Sequence, residues 1–459
     1  MRGVHPVFIA ATAVSLAFGC EPVSAQRAAT FRLENGLEVS VVEDRRAPIV
    51  THFIGYRSGG ADDPEGQSGV AHYVEHLMFS AIPVSQGPPY AAQIARLGGR
   101  SNAVTGHDTT LYYTRIPKEH LRVVMAHEAR RMSRLEFTEK RVAAERDVIL
   151  AERRSRIDSR PFAALIERAD AMLGAPHYAR PSIGTASEIA TIGVSEAAAF
   201  HRRHYTPGNA FVVVVGDVSA AAVRALAQET YGSLAPAPTK DGVSVGSHRS
   251  LPPENDVSAR RVQHFVMRDP RVQSATLYRA YRVPGYATAS AGEAAAMEIL
   301  SAILTSGRSG RLATRIAAAG QTANTIDGGY LGVRRHTGQL AIYVVAERGA
   351  DLAAIEAGID NAITELAGRP PGIEDIDEAR RTLVNQHAFR ADDQFLLAQL
   401  YAEGLGIGLT TSHIEGFADR LARVGPDQIR SAARFLREEA STVTGILAPT
   451  HGNSEEAAR

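Results

Sequence analysis

A chain of 459 residues can bury two or three separate cores, and its 44% apolar and 22% charged residues are ordinary for a globular protein. Fifty basic and fifty acidic side chains cancel, which excludes a general electrostatic pull toward nucleic acid or anionic lipid. Cys20 is the only cysteine, so no disulfide framework forms within the chain, and once cleavage after Ala25 removes it any zinc site must be built from His, Glu or Asp.

Arg2, an apolar run over residues 7–18 and the small-residue triplet Val23-Ser24-Ala25 read as a cleavable secretory signal. The mature chain then begins near Gln26 and is periplasmic or secreted. A lipoprotein signal ending at Cys20 is the rival, opposed by the bulky Phe18 just before it. The apolar run is too short to span a bilayer comfortably.

Residues 30–33 and 37–42 read as strands around the turn pair Asn35-Gly36, and 49–56 as a third. A polar loop over 61–68 leads into a helix carrying Gly69-Val70-Ala71-His72-Tyr73-Val74-Glu75-His76. This is H-x-x-E-H, the mirror order of the commoner zinc-protease motif. One helical turn separates His72 from His76, so both imidazoles can face one metal ion. Glu75 edges the same face, near enough to handle a water there. Two histidines and a carboxylate on a wet helix would look the same, and the pentapeptide alone does not separate the readings.

Residues 91–97 read as a second helix stopped by Gly98-Gly99, followed by strands at 100–105 and 109–116. The pattern over 118–173 is helical in three pieces, with Pro161 opening the third. The middle piece places Glu145 and Glu152 two turns apart on one face. As ordinary exposed carboxylates they would be bridged to Arg146, Arg153 or Arg154. Tyr205-Thr206-Pro207-Gly208-Asn209 forms a turn into the buried strand 210–215. A polar stretch, residues 236–257, reads as a linker. Beyond it the order repeats, with strands near 262–267 and 275–281, a helix at 291–304, strands at 325–330 and 339–345, helices to about 438 and a last strand at 442–447. The repeat's counterpart of the metal helix reads Ala294-Ala295-Ala296-Met297-Glu298-Ile299-Leu300, without histidine, so the second copy cannot bind metal this way.

With these motifs in this order, the chain resembles the pitrilysin/insulinase family of inverted-motif zinc peptidases (inverzincins), in its short-chain branch related to the mitochondrial processing peptidase. The resemblance implies an α+β fold of two homologous domains, each an antiparallel sheet backed by helices. It divides the chain into a signal peptide at 1–25, a catalytic zinc domain at 26–235, the linker at 236–257 and an inactive homologous domain at 258–459. By the same resemblance His72, His76 and Glu152 are ligands of a Zn²⁺ cofactor, and Glu75 is the general base for the water held there. Glu145 supports the catalytic site, and Asn102 with Ala103 binds the substrate backbone. His107, His177, His201 and His204 are then ordinary surface or loop histidines.

Two departures from the family pattern stand out. Ser80-Ala81-Ile82 replaces a Lys-Gly-Thr-like turn, with little effect expected. Through Gly310-Arg311-Leu312 and Gly320, the Arg and Tyr that an inactive domain lends to substrate align with Ala317 and Asn324. The partner expected from this is a second family subunit lacking the motif, in a heterodimer; a homodimer is the alternative. Two chains would close around a chamber that admits peptides or unfolded segments. The competing functions are a non-catalytic scaffold subunit and a dedicated maturation protease for one precursor.

Overall fold

The computed structural model describes residues 27–80, 89–236, 260–306 and 310–450. The signal segment with Cys20, nearly all of the linker, and the Ala81-Ile82 turn lie outside the described residues.

Six strands build the first sheet: β1 (Ala29–Arg32), β2 (Glu38–Glu43), β3 (Ile49–Tyr56), β4 (Arg100–Thr105), β5 (Thr110–Pro117) and β6 (Ala210–Gly216). Their order is β1-β2-β6-β3-β5-β4, which leaves β4 at an edge. The second sheet contains β7 (Val262–Arg268), β8 (Thr276–Pro284), β9 (Ala323–Leu331), β10 (Thr337–Ala346) and β11 (Thr442–Ala448), in the order β7-β11-β8-β10-β9. From β2 and β7 onward the two orders correspond strand for strand. The expected antiparallel pairing holds throughout except for one parallel pair in each sheet, β2 with β6 and β7 with β11. The segments joining those partners are long and include the three intervening strands of each sheet as well as helices, since parallel strands cannot be joined by a tight hairpin.

The helices of the first half are α1 (Val70–Ser80), α2 (Tyr90–Arg96), α3 (Leu121–Ser133), α4 (Glu139–Arg153), α5 (Pro161–Met172), α6 (Ala186–Ile189), α7 (Val194–His204) and α8 (Ala220–Tyr231). The second half supplies α9 (Ala291–Thr305), α10 (Arg311–Ala318), α11 (Leu352–Gly368), α12 (Ile373–Asp392) and α13 (Gln394–Gly406), then α14 (Thr411–Glu415), α15 (Phe417–Ala422) and α16 (Pro426–Glu438). None of the described helices is long and apolar enough to cross a membrane.

Each sheet packs one face on its own helices. Val39, Val41, Ile54, Val212 and Val214 meet Val70, Val74, Leu77 and Met78 of α1 in the first core. Leu277, Leu340 and Ile342 meet Ile299, Leu300 and Ile359 in the second. The opposite faces are covered by exchange between the halves. On the outer face of the first sheet, Phe53, Phe211, Val213 and Val215 are capped by Leu397, Ala398, Tyr401 and Leu405 of α13. Conversely, Leu165 and Ala169 of α5 cover Phe265, Tyr278 and Val443 of the second sheet. Alternation sends β6 side chains to opposite faces, and both faces are buried, which explains its unbroken apolar run.

Candidate metal centre

The motif helix α1 is almost wholly buried, from Val70 through Met78 with only His76 partly open. Its exposed-end problem is solved from outside the helix. Asp63 accepts hydrogen bonds from the Gly69 N–H (2.6 Å) and the Ala71 N–H (3.0 Å), capping two of the unsatisfied donors of the first turn. Gly69 has φ +90°, and a Cβ there would fall 2.6 Å from the Ile183 carbonyl oxygen, so only glycine fits this entry.

Helix α4 lies across α1, and the Tyr73 hydroxyl donates to the Val142 carbonyl to fix the crossing. Val142 and Ile149 are fully buried, and Glu145 and Glu152 fall between and after them in a heptad rhythm. Two positions that the rhythm would give to apolar side chains therefore hold carboxylates. Both are about four-fifths covered, with side-chain exposures of 20% and 19%. They are not the solvent-facing acids that the composition suggests. Arg146 instead donates to the Ile192 carbonyl, and Arg153 to the Gly184 carbonyl and Glu167.

One oxygen of Glu152, Oε2, lies 3.2 Å from His76 Nε2 and 3.6 Å from His72 Nε2. Donor atoms of these three residues all fall within 4.8 Å of one another, and no other such group of three occurs among the described residues. Ligands each about 2.0–2.1 Å from a tetrahedral zinc ion stand roughly 3.3 Å apart, so the set fits that ion. Burial, then the neighbouring His76, lowers the His72 pKa to about 3, which keeps this imidazole neutral as a ligand must be. For His76 burial opposes protonation, but the Glu145 hydrogen bond and the charges of Glu75 and Glu152 outweigh it and raise the pKa. Such an excess of negative charge around two imidazoles suits a bound cation.

The surroundings orient these donors. His76 Nδ1 is 3.2 Å from Glu145 Oε2, the outer carboxylate contact that usually sets a ligating histidine's tautomer. Arg156 donates to the other oxygen of Glu152 at 2.8 Å, which leaves Oε2 turned toward the histidines. A wider helical turn over Arg154–Asp158 lies between α4 and Pro161 at the start of α5, and it carries Arg156. Glu75 is buried, which raises its pKa, and its Oε2 accepts a 2.6 Å hydrogen bond from Thr105 Oγ1. Thr105 closes β4, the edge strand that carries Asn102 and Ala103. Asn102 pairs with Tyr113 and Ala103 with Tyr112, both on β5. Asn102 is exposed, and its side chain accepts from the Ala103 N–H at 2.9 Å.

Sequence reasoning missed Thr105, Arg156 and Asp63. Arg156 was detectable as the i+4 neighbour of Glu152. Thr105 shares strand parity with Ala103, but its contact with Glu75 depends on packing between α1 and β4. The four histidines set aside stay outside the donor group. His201, however, is buried and stacks on Tyr205, so it is a core residue and not a surface one. At the departing positions, Ala317 is exposed on α10, and the Asn324 side-chain amide donates to the Ala346 carbonyl of β10. Arg315, the nearest arginine, is engaged by Glu365.

A two-domain α+β fold with an H-x-x-E-H helix and an outlying glutamate on a neighbouring helix defines a class of metallopeptidase-like proteins. The chain belongs to peptidase family M16, the insulinase or pitrilysin family. Residues 39–184 match "Insulinase (Peptidase family M16)" and 191–383 match "Peptidase M16 inactive domain". The zinc protease PqqE of Helicobacter pylori is 32% identical over 205 residues, 44% of this chain and 46% of that protein. The probable zinc protease PqqL of Escherichia coli is 28% identical over 213 residues, 45% of this chain and 23% of that protein. The chain thus spans about half of the one and a quarter of the other. The crystal structure of a protease from H. pylori superposes with TM-score 0.80 at 21% identity, covering 92% of this chain and 99% of that one. That of the periplasmic protease PqqL from E. coli gives 0.74 at 20% identity, covering 92% of this chain and 47% of that one. Both likenesses establish the fold.

Proposed function

We propose that this protein is a zinc-dependent endopeptidase that cleaves extended peptides or unfolded segments, with His72, His76 and Glu152 as metal ligands and Glu75 as general base. The observation that carries the reading is the convergence of those three donors beside a buried carboxylate that ligation does not use. When bound, zinc supplies Lewis-acid polarisation at the scissile carbonyl. Glu75 takes a proton from the attacking water and passes it to the leaving amine. Its burial favours the protonated form and so suits a carrier that must hold the proton between those steps. Thr105 holds one Glu75 oxygen and leaves the other for the water. The free edge of β4 pairs with the backbone of an extended substrate, with Asn102 and Ala103 at the contact. Glu145 acts through His76.

Thr105→Val keeps the side-chain shape but removes the hydrogen bond to Glu75. It is expected to lower kcat by roughly tenfold with KM nearly unchanged, whereas Thr105→Ser restores most of the loss. Steady-state kinetics on zinc-loaded variants checks this.

The partner reading rests on Ala317 and Asn324. Neither can supply the charge and hydroxyl expected there, and Arg315 is held by Glu365. A second family subunit would provide them, two chains enclosing a chamber that selects by size. The signal-like pattern of residues 1–25 and the periplasmic location of the E. coli protease PqqL support export, with the mature chain beginning near Gln26. A scaffold subunit would have no use for Glu75, and a dedicated maturation protease would cut few members of a panel of unrelated peptides.

The decisive measurement is zinc content and peptide cleavage on one purified sample. About one zinc per chain with cleavage of unstructured peptides supports the reading. Zinc without cleavage, unchanged by any second family subunit added, would leave the scaffold. Strong cleavage by the chain alone would remove the heterodimer.

A further inference from the structure

One loop of the half without the motif reaches the segments that flank the candidate metal centre. Between β9 and β10, Arg335 donates from Nη2 to Asp62 Oδ2 at 2.9 Å, and its Nε lies 3.4 Å from Asp108 Oδ1. The Arg335 N–H also donates to Asp108 Oδ2 at 3.1 Å. The Tyr178 hydroxyl donates to Asp108 and accepts from the His336 N–H at 3.0 Å. All three charged side chains are largely covered, with exposures of 15% for Arg335, 11% for Asp62 and 6% for Asp108. One guanidinium thus joins two covered carboxylates that belong to different segments of the first half.

Those segments are the ones that place the chemistry. Asp62 precedes Asp63, the cap of α1, and its loop is bound to the β4–β5 turn by Gly60 N–H to Gly106 O (3.0 Å) and Ala61 N–H to His107 O (2.8 Å). Asp108 lies in that turn, three residues from Thr105, the hydrogen-bond donor to Glu75. Arg335 therefore ties the end of the metal helix to the strand that orients the base. Its side-chain hydrogen bond goes to Asp62, while Asp108 is held by the Arg335 main-chain N–H and by the 3.4 Å ion pair with the guanidinium.

We propose that Arg335 is a positioning residue for the metal centre, through which the motif-free half keeps α1 and β4 in register. This rests on the peptidase reading for its kinetic consequence, but not for its structural one. The test compares Arg335→Gln and Arg335→Lys with the parent chain, each zinc-loaded, measuring kcat and KM, zinc content, thermal unfolding and amide exchange at Gly69, Ala71 and Gly106. The expected result in a folded variant is full zinc content and KM within about threefold, with kcat lower by about tenfold. Exchange at those three amides rises by about tenfold while the two cores keep their protection. Lysine, which keeps the charge that pairs with both carboxylates, gives a smaller loss. If glutamine prevents folding, the lysine variant decides. Parental kcat and parental exchange at these amides in a folded variant overturn the proposal, as does exchange that rises uniformly through both halves. Should the parent chain bind zinc and cut nothing even with a second family subunit supplied, the peptidase reading fails, while the three amides still decide the clamp.

Discussion

Glutamine in place of Glu75 is expected to reduce peptide cleavage by about 10²–10⁴-fold while bound zinc and the unfolding temperature stay near those of the parent chain. The amide keeps the shape of the carboxylate and can still accept from Thr105, but it cannot take a proton from water. Glu75 lies outside the three-donor group, so ligation is preserved. Loss of cleavage without loss of metal separates a base from a ligand. If the glutamine variant cut at the parental rate, Glu75 would have no part in proton transfer. Simultaneous loss of zinc would move it into the ligand set.

Alanine in place of Glu152 is expected to have the opposite signature. Removing an outer contact of a metal site typically lowers affinity by about 10–100-fold, and removing a ligand should cost at least the upper end of that range. Zinc content after dialysis against a weak chelator and competition with a chromophoric chelator both read this directly. Here Glu152 supplies the oxygen nearest both histidines, and Arg156 holds its other oxygen. Its removal leaves two imidazoles and no charged ligand. Zinc retained at parental affinity would show that the third donor lies elsewhere, and Glu145, which already faces His76 at 3.2 Å, would be the residue to examine.

The division of labour along the chain follows from what is local and what is not. His72 and His76 share a face because the helix repeats every 3.6 residues, so their pairing was legible in five letters. Glu145 and Glu152 were legible as a helix pair, but not as inward-facing ones, since two acids on a helix ordinarily face water. Only their interleaving with Val142 and Ile149 against α1 turns them toward the histidines. The strands, the turn at Asn35-Gly36 and the helix-opening Pro161 could be read because each depends on a few adjacent residues.

Contacts between distant segments were not legible. Thr105 meets Glu75 because an edge strand packs beside a buried helix, and no spacing encodes that. The reciprocal cover of the two sheets by α13 and α5 was hidden as well, because an apolar helix face does not state which sheet it will meet. The same holds for Arg335, whose partners Asp62 and Asp108 lie more than two hundred residues away. Sequence by itself determined the H-x-x-E-H helix, the duplicated element order and the missing histidines of the second copy, all set by short-range periodicity. The family resemblance pointed to Glu152 and Glu145, but tertiary structure alone decided how those carboxylates turn toward the histidines, what holds Glu75, and how the second half reaches the first, because burial and charge pairing depend on the whole packed chain.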